Sequence, residues 1–177
     1  NRAAFVLCSG DDAPTAAEVS KSRGWNFPVV SGADSDFAEA QAMLGRPFLM
    51  GGHVVRGLQL GRKLGYPTAN LRLAGKRPAL SGIYATWVHG IGPEPRASVS
   101  SLGTRPTVQG VEPLLEAHVF DFDGDLYGSR IEVEFVAKLR DEEKFDDLPA
   151  LVRQMDLDAA QARRALRHDM EERGALA

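Results

Sequence analysis

From Phe48 onward, apolar and polar positions alternate over short runs separated by turn-forming residues. That is the pattern of strands in an antiparallel barrel or sandwich. The runs are Phe48–Val55, Ile83–Val88, Ala97–Leu102, Leu115–Phe122 and Ile131–Leu139. Two of them alternate cleanly. In Leu115-Glu116-Ala117-His118-Val119 the apolar residues face one way and Glu116 and His118 the other, because successive strand side chains point to opposite faces. In Ile131-Glu132-Val133-Glu134-Phe135 the same rule sets both glutamates opposite the core. The period then changes. Leu148, Leu151, Val152 and Met155 recur at helical spacing, and Asp158 is suited to cap a helix carrying Ala162, Ala165 and Leu166.

The first 45 residues read instead as a piece of α/β structure. The apolar run Phe5–Cys8 is followed by a helix with a capping box at Thr15 and Glu18, closed by Gly24. A second strand at Phe27–Val30 follows. Asp36 and Glu39 form another capping box, opening a helix that stops at Gly45. So few elements cannot close a core of their own. The expected organisation is therefore a partial α/β segment with a linker helix over 1–45 and a barrel with C-terminal helices over 46–177.

Composition narrows the function classes. Apolar residues make up 44% and charged residues 25% of the 177, the balance of an ordinary globular chain of one full domain plus something smaller. The single cysteine, Cys8, excludes an intrachain disulfide, and no apolar run reaches the length of a membrane span. With no signal-peptide pattern, a cytoplasmic location is expected, without a membrane partner. The first residue is Asn1, so the numbering is expected to start inside a longer protein or after processing. The net charge of −3 resides entirely in residues 1–45, which hold three basic and six acidic residues. The rest is neutral, without the basic excess that a nucleic-acid binder normally shows, so no nucleic-acid partner is expected. The sequence leaves the oligomeric state open.

The most unusual stretch is Gly57-Leu58-Gln59-Leu60-Gly61-Arg62-Lys63-Leu64-Gly65-Tyr66-Pro67-Thr68-Ala69-Asn70. Three glycines beside Arg62 and Lys63 make a basic loop whose backbone can approach a polyphosphate closely. It is not a Walker A loop, since no Gly-Lys-Ser/Thr follows. Pro67-Thr68-Ala69-Asn70 reads as a rigid turn presenting a hydroxyl and a carboxamide, oxygen groups suited to Mg²⁺ or to a phosphate. Glu116, on the polar face of its strand, is a candidate general base for a hydroxyl. The acidic turn Asp121–Gly128 lacks the twelve-residue ligand ladder of an EF-hand. Leu139–Phe145 reads as a charged connection between strand and helix.

In this order the stretches resemble the riboflavin kinase family, and most closely the C-terminal kinase module of bacterial bifunctional FAD synthetases. The resemblance covers about residues 45–170. It is carried by Gly45-Arg46-Pro47-Phe48, Gly52–Gly57, Gly61–Leu71, Gly82-Ile83-Tyr84-Ala85, Gly103-Thr104-Arg105-Pro106-Thr107, Leu115-Glu116-Ala117-His118, Asp125-Leu126-Tyr127-Gly128 and Leu139–Phe145. It implies a mainly β fold: a six-stranded antiparallel barrel of Greek-key type with a C-terminal helix. It implies ATP-dependent phosphorylation of riboflavin to FMN, with Mg²⁺ as the metal. Gly57 and Arg62 would line the ATP phosphates, and Thr68 and Asn70 would bind the metal with the phosphate oxygens. Glu116 would accept the proton of the terminal ribityl hydroxyl. Val119, Asp121 and Tyr127 would contact the nucleotide, and Arg140 and Phe145 would lie in a loop closing over the flavin.

Residues 1–45 depart from the bifunctional pattern, lacking the His-x-Gly-His and Ser-Ser-Thr-x-x-Arg segments of its adenylyltransferase domain. They resemble a remnant of that domain's last α/β unit with its linker helix, so this chain alone is expected not to convert FMN to FAD. Two alternatives accompany the kinase: a fragment of a bifunctional FAD synthetase, or a barrel that binds flavin or nucleotide without turnover.

Overall fold

The computed structural model describes residues 7–9, 29–31, 46–57, 59–73, 80–107 and 110–175. The two helices expected from the capping boxes at Thr15 and Asp36 lie outside the described residues. The chain divides into two compact units, Asn1–Phe48 and Leu49–Ala177. In the first, strands β1 (Leu7–Ser9) and β2 (Val29–Ser31) pair in parallel, Leu7 opposite Val29.

The remaining strands are β3 (Phe48–Val55), β4 (Ala69–Arg72), β5 (Gly82–His89), β6 (Arg96–Thr107), β7 (Gly110–Val119) and β8 (Arg130–Arg140). They close into an antiparallel barrel in the order β3-β4-β7-β6-β5-β8. Because β5, β6 and β7 pair consecutively and β8 returns beside β5, the order contains a Greek key. The Val54 amide donates to the Ser129 carbonyl and the Gly128 amide donates to Val54, both at 2.9 Å, joining β3 to the approach of β8.

The alternation expected in β7 holds: Leu115, Ala117 and Val119 are buried and Glu116 and His118 half-exposed. Tyr84 and Phe135 meet edge-on at 5.1 Å among the fully buried side chains. Thr86 bridges the hydroxyls of Ser98 and Ser100, so the buried polar atoms here are satisfied.

Three expectations change. The Pro-Thr-Ala-Asn segment does not stay a turn: from Ala69 it becomes β4, the strand that no alternation announced, buried at Ala69, Asn70 and Leu71. The C-terminal helices are one, α2 (Leu148–Ala175), named after the short helix α1 (Leu60–Lys63). Its cap is Asp147, whose carboxylate accepts from the Ala150 amide at 2.6 Å. Asp158 is 3% exposed in mid-helix, because its carboxylate is satisfied by side chains rather than by a helix end. Glu134, expected on the polar face of β8, is buried as well, since α2 covers that face and Arg173 and His89 bind its carboxylate.

The helix seats Ala162 and Leu166 against Ala85, Trp87 and Phe120 on the outside of the barrel. The small alanines allow close approach, and Leu166, 2% exposed, contributes about 1.5–3 kcal/mol by burial. The Trp87 indole N–H donates to Asp169 at 2.7 Å, fixing the helix along the barrel.

Candidate functional site

The barrel's hydrogen-bond register builds the site. Asn70 pairs with Glu116 across β4 and β7, and with Val55 across β3 and β4. Glu116 also pairs with Ser101, Ser101 with Ile83, and Ile83 with Arg140. Partners in an antiparallel ladder share a face, so one lateral row carries Asn70, Glu116, Ser101, Ile83 and Arg140 on the outer surface. Residues spread over 71 sequence positions thereby become neighbours on one wall.

Two clefts flank this row. The first, about 530 Å³, is lined by Gly57, Arg62, Thr68, Asn70, Val119 and Tyr127, among others. The second, about 450 Å³, runs between the outer wall and α2 and contains Glu116, Arg140 and Phe145, with Tyr66, Leu151 and Met155 on its apolar side. Gln59, Thr68 and Asn70 line both, so the clefts meet there.

The junction is crowded for a reason. A Cβ on Gly57 would lie 2.6 Å from Asn70 Oδ1, so this backbone approaches the carboxamide as only glycine can. A Cβ on Gly61 would strike the Tyr66 carbonyl. The Asn70 amide donates at 3.5 Å to the Thr68 carbonyl and hydroxyl, keeping the two side chains together. Among the described residues no group of three or more His, Cys, Asp or Glu side chains could hold a metal. The oxygen groups of Thr68 and Asn70 fit a hard cation that takes its remaining ligands from phosphate and water.

Arg140 is the last residue of β8 rather than part of a loop. Its guanidinium is clamped by Asp158 at 2.7–3.1 Å, donates to the Asp141 carbonyl at 2.8 Å, and lies 5.7 Å from the Phe145 ring centroid. Gln154 holds the same Asp158 carboxylate at 2.9 Å. Glu142 packs against Gly103, and burial pushes its carboxyl above the usual range while Arg140 opposes the shift.

The His118 ring stands between Tyr66 (5.0 Å) and Phe120 (5.6 Å), and the Arg163 guanidinium covers Phe120 at 4.2 Å. The Tyr66 hydroxyl donates to Asp156 on α2; burial first, then this hydrogen bond, pushes the phenol up to about 12. Asp121 lies apart from both clefts. Arg163 binds its two oxygens at 2.8 and 3.1 Å and holds its carboxyl below the usual range. Of the site residues that the resemblance implied, the clefts thus collect all except Asp121.

Sequence reasoning passed over Gln59, Tyr66, Glu142 and Asp158. Tyr66 and Glu142 stood inside the matching blocks, but nothing local distinguished them from turn and surface residues. Asp158 owes its place to Arg140, eighteen positions away.

A family model described as "Flavokinase: Riboflavin kinase" matches residues 44–166. The chain is 43% identical over 131 residues to the "Bifunctional riboflavin kinase/FMN adenylyltransferase" of Escherichia coli (strain K12), covering 74% of this chain and 42% of the relative. It is 44% identical over 132 residues to the protein of the same description from Pseudomonas fluorescens, with the same coverage. The chain thus spans 42% of the length of these curated relatives. Among solved structures, one titled "Crystal Structure of Macrolide-efflux Protein from Streptococcus pneumoniae" superposes with a TM-score of 0.66 at 30% identity, covering 81% of this chain and 54% of that one.

Proposed function

Because this chain belongs to the riboflavin kinase (flavokinase) family, we propose that it transfers the terminal phosphate of ATP to riboflavin, giving FMN and ADP. The observation that carries this reading is the meeting of two clefts at Thr68 and Asn70, with Glu116 the register partner of Asn70. Phosphoryl transfer needs donor and acceptor in line and the developing charge neutralised, which a shared wall between two pockets supplies.

ATP occupies the first cleft, its phosphates on Gly57 and Arg62 and its nucleoside toward Val119 and Tyr127. Asp121 is left out of this assignment because Arg163 already holds its carboxylate. Riboflavin occupies the second cleft, the flavin between the apolar wall and Phe145, with Arg140 at the ring-facing end of the row. Thr68 and Asn70 would hold Mg²⁺, which would supply charge neutralisation to the transferring phosphate. Glu116 takes the proton of the terminal ribityl hydroxyl as its oxygen bonds to the γ-phosphorus. The bond from that phosphorus to the β–γ bridging oxygen breaks, and ADP leaves.

Among the described residues no helix is long and apolar enough to cross a membrane. A cytoplasmic location is proposed, where ATP is at hand. The adenylyltransferase activity named for the relatives is not assigned to this chain, whose sequence lacks the His-x-Gly-His motif.

Incubating the protein with riboflavin, ATP and Mg²⁺ and separating the products by chromatography tests the reading. FMN and ADP in equal amounts are expected, and no FAD when FMN replaces riboflavin. Binding of both substrates without FMN formation would instead identify a non-catalytic barrel.

A further inference from the structure

Gln59 stands at the meeting of the two clefts and lines both. Its backbone is left-handed, with φ at 56°, a conformation that a glutamine holds only when its surroundings compensate. On either side the chain rests on the junction: Gly57 against the Asn70 carboxamide, Gly61 against the Tyr66 carbonyl and near the Thr68 hydroxyl. The Gln59 side chain reaches across the first cleft, where its Nε2 donates to the Tyr127 hydroxyl at 3.0 Å. Tyr127 is itself fixed: its amide donates to Asp125 at 2.9 Å and the Arg56 guanidinium lies 4.6 Å from its ring centroid. Gly57 and Gly61 thus approach the junction closely, and one side-chain hydrogen bond spanning 68 positions ties Gln59 between them to Tyr127.

We propose that Gln59 is a positioning residue that latches this segment to Tyr127, closing the junction and keeping water from the transferring phosphate. Its role rests on the kinase reading, for which an open junction has a defined consequence. A water oxygen replaces the ribityl oxygen, bonds to the γ-phosphorus and expels ADP, leaving inorganic phosphate and releasing a proton to solvent. The latch acts through Tyr127, and no bond to the reacting atoms is required of Gln59.

The test uses Q59N, Y127F and the double variant. Asparagine tolerates the left-handed backbone but is one methylene too short for Tyr127. Arg56, Arg62 and Lys63 flank the segment and are exposed, so tryptic cleavage at them reports opening without any turnover. Each single variant should be cut roughly 3- to 10-fold faster than wild type, the worth of one hydrogen bond, and the double no faster than either. With riboflavin and MgATP, wild type should form ADP and FMN in equal amounts, while Q59N forms ADP in clear excess over FMN. Wild-type cleavage in either single variant, additive acceleration in the double, or an unchanged ADP-to-FMN ratio overturns the proposal. If wild type itself makes no FMN, the kinase reading fails, and the cleavage rates alone decide the latch.

Discussion

Asn70 and Glu116 are register partners on neighbouring antiparallel strands, β4 and β7. Such partners hold their Cβ atoms about 4.5–5.5 Å apart on one face. A carboxamide suited to a metal-bound phosphate and a carboxylate suited to a hydroxyl proton are therefore fixed side by side by backbone hydrogen bonds, on strands that a barrel cannot slide. Gly57 closes over the first and the cleft beneath α2 opens toward the second.

On the proposed reading, the groups assigned to metal and phosphate can be tested apart from the one assigned as base. Thr68→Ala and Asn70→Ala should each weaken MgATP binding and lower turnover together, because each removes an oxygen group from one site. Gly57→Ala should mimic Asn70→Ala, since its Cβ would sit 2.6 Å from Asn70 Oδ1 and displace the carboxamide. Titration of the rate with Mg²⁺ checks this. An unchanged metal dependence in all three variants would refute the assignment.

The clamp between β8 and α2 should show in stability. Asp158→Ala leaves the Arg140 guanidinium without its main partner at a site where the aspartate is 3% exposed. Removing one partner of such a buried pair should cost about 3–5 kcal/mol, measured by urea denaturation. The variant should also bind riboflavin more weakly, because Arg140 and Asp158 both line the second cleft. A midpoint equal to that of wild type would show that the pair does not anchor the helix.

The Tyr66–Asp156 bond predicts a pH dependence. The phenol, ordinarily at 10.0, is pushed up to about 12 in the folded chain, so folding favours its protonated form. The stabilisation is fully present below the unfolded value and is lost as pH rises through the folded one. Tyr66→Phe should therefore be less stable than wild type below pH 10, with the gap closing between 10 and about 12. Denaturation midpoints of the two proteins across that range test it, and a gap that stays constant with pH would contradict it.

The sequence was most legible where one physical rule acted alone. β7 alternates because one face meets the barrel core and the other does not, so Glu116 could be singled out as a polar-face carboxylate. β4 was hidden because Ala69, Asn70 and Leu71 are all buried, which erases alternation and leaves the preceding Pro67 as the loudest signal. Asp158 looked like a helix cap because aspartate is poor in helix interiors, and Arg140 overrides that preference from another element. Glu134 followed its strand's parity but not its expected exposure, since α2 covers the outer face. The latch at Gln59 and Tyr127 joins residues with no local relation, and no pattern along the chain encodes it.

The central claim is that Glu116, held beside Asn70, acts as the base for transfer between the two clefts. Single-turnover formation of FMN from riboflavin and MgATP by wild type and Glu116→Gln tests it most directly, with nucleotide binding measured in parallel by calorimetry. The variant should bind nucleotide like wild type and form FMN ~10²–10⁴-fold more slowly, the usual cost of removing a general base. FMN formation at the wild-type rate would contradict the assignment and, with it, the reading of the row as the place where the proton leaves.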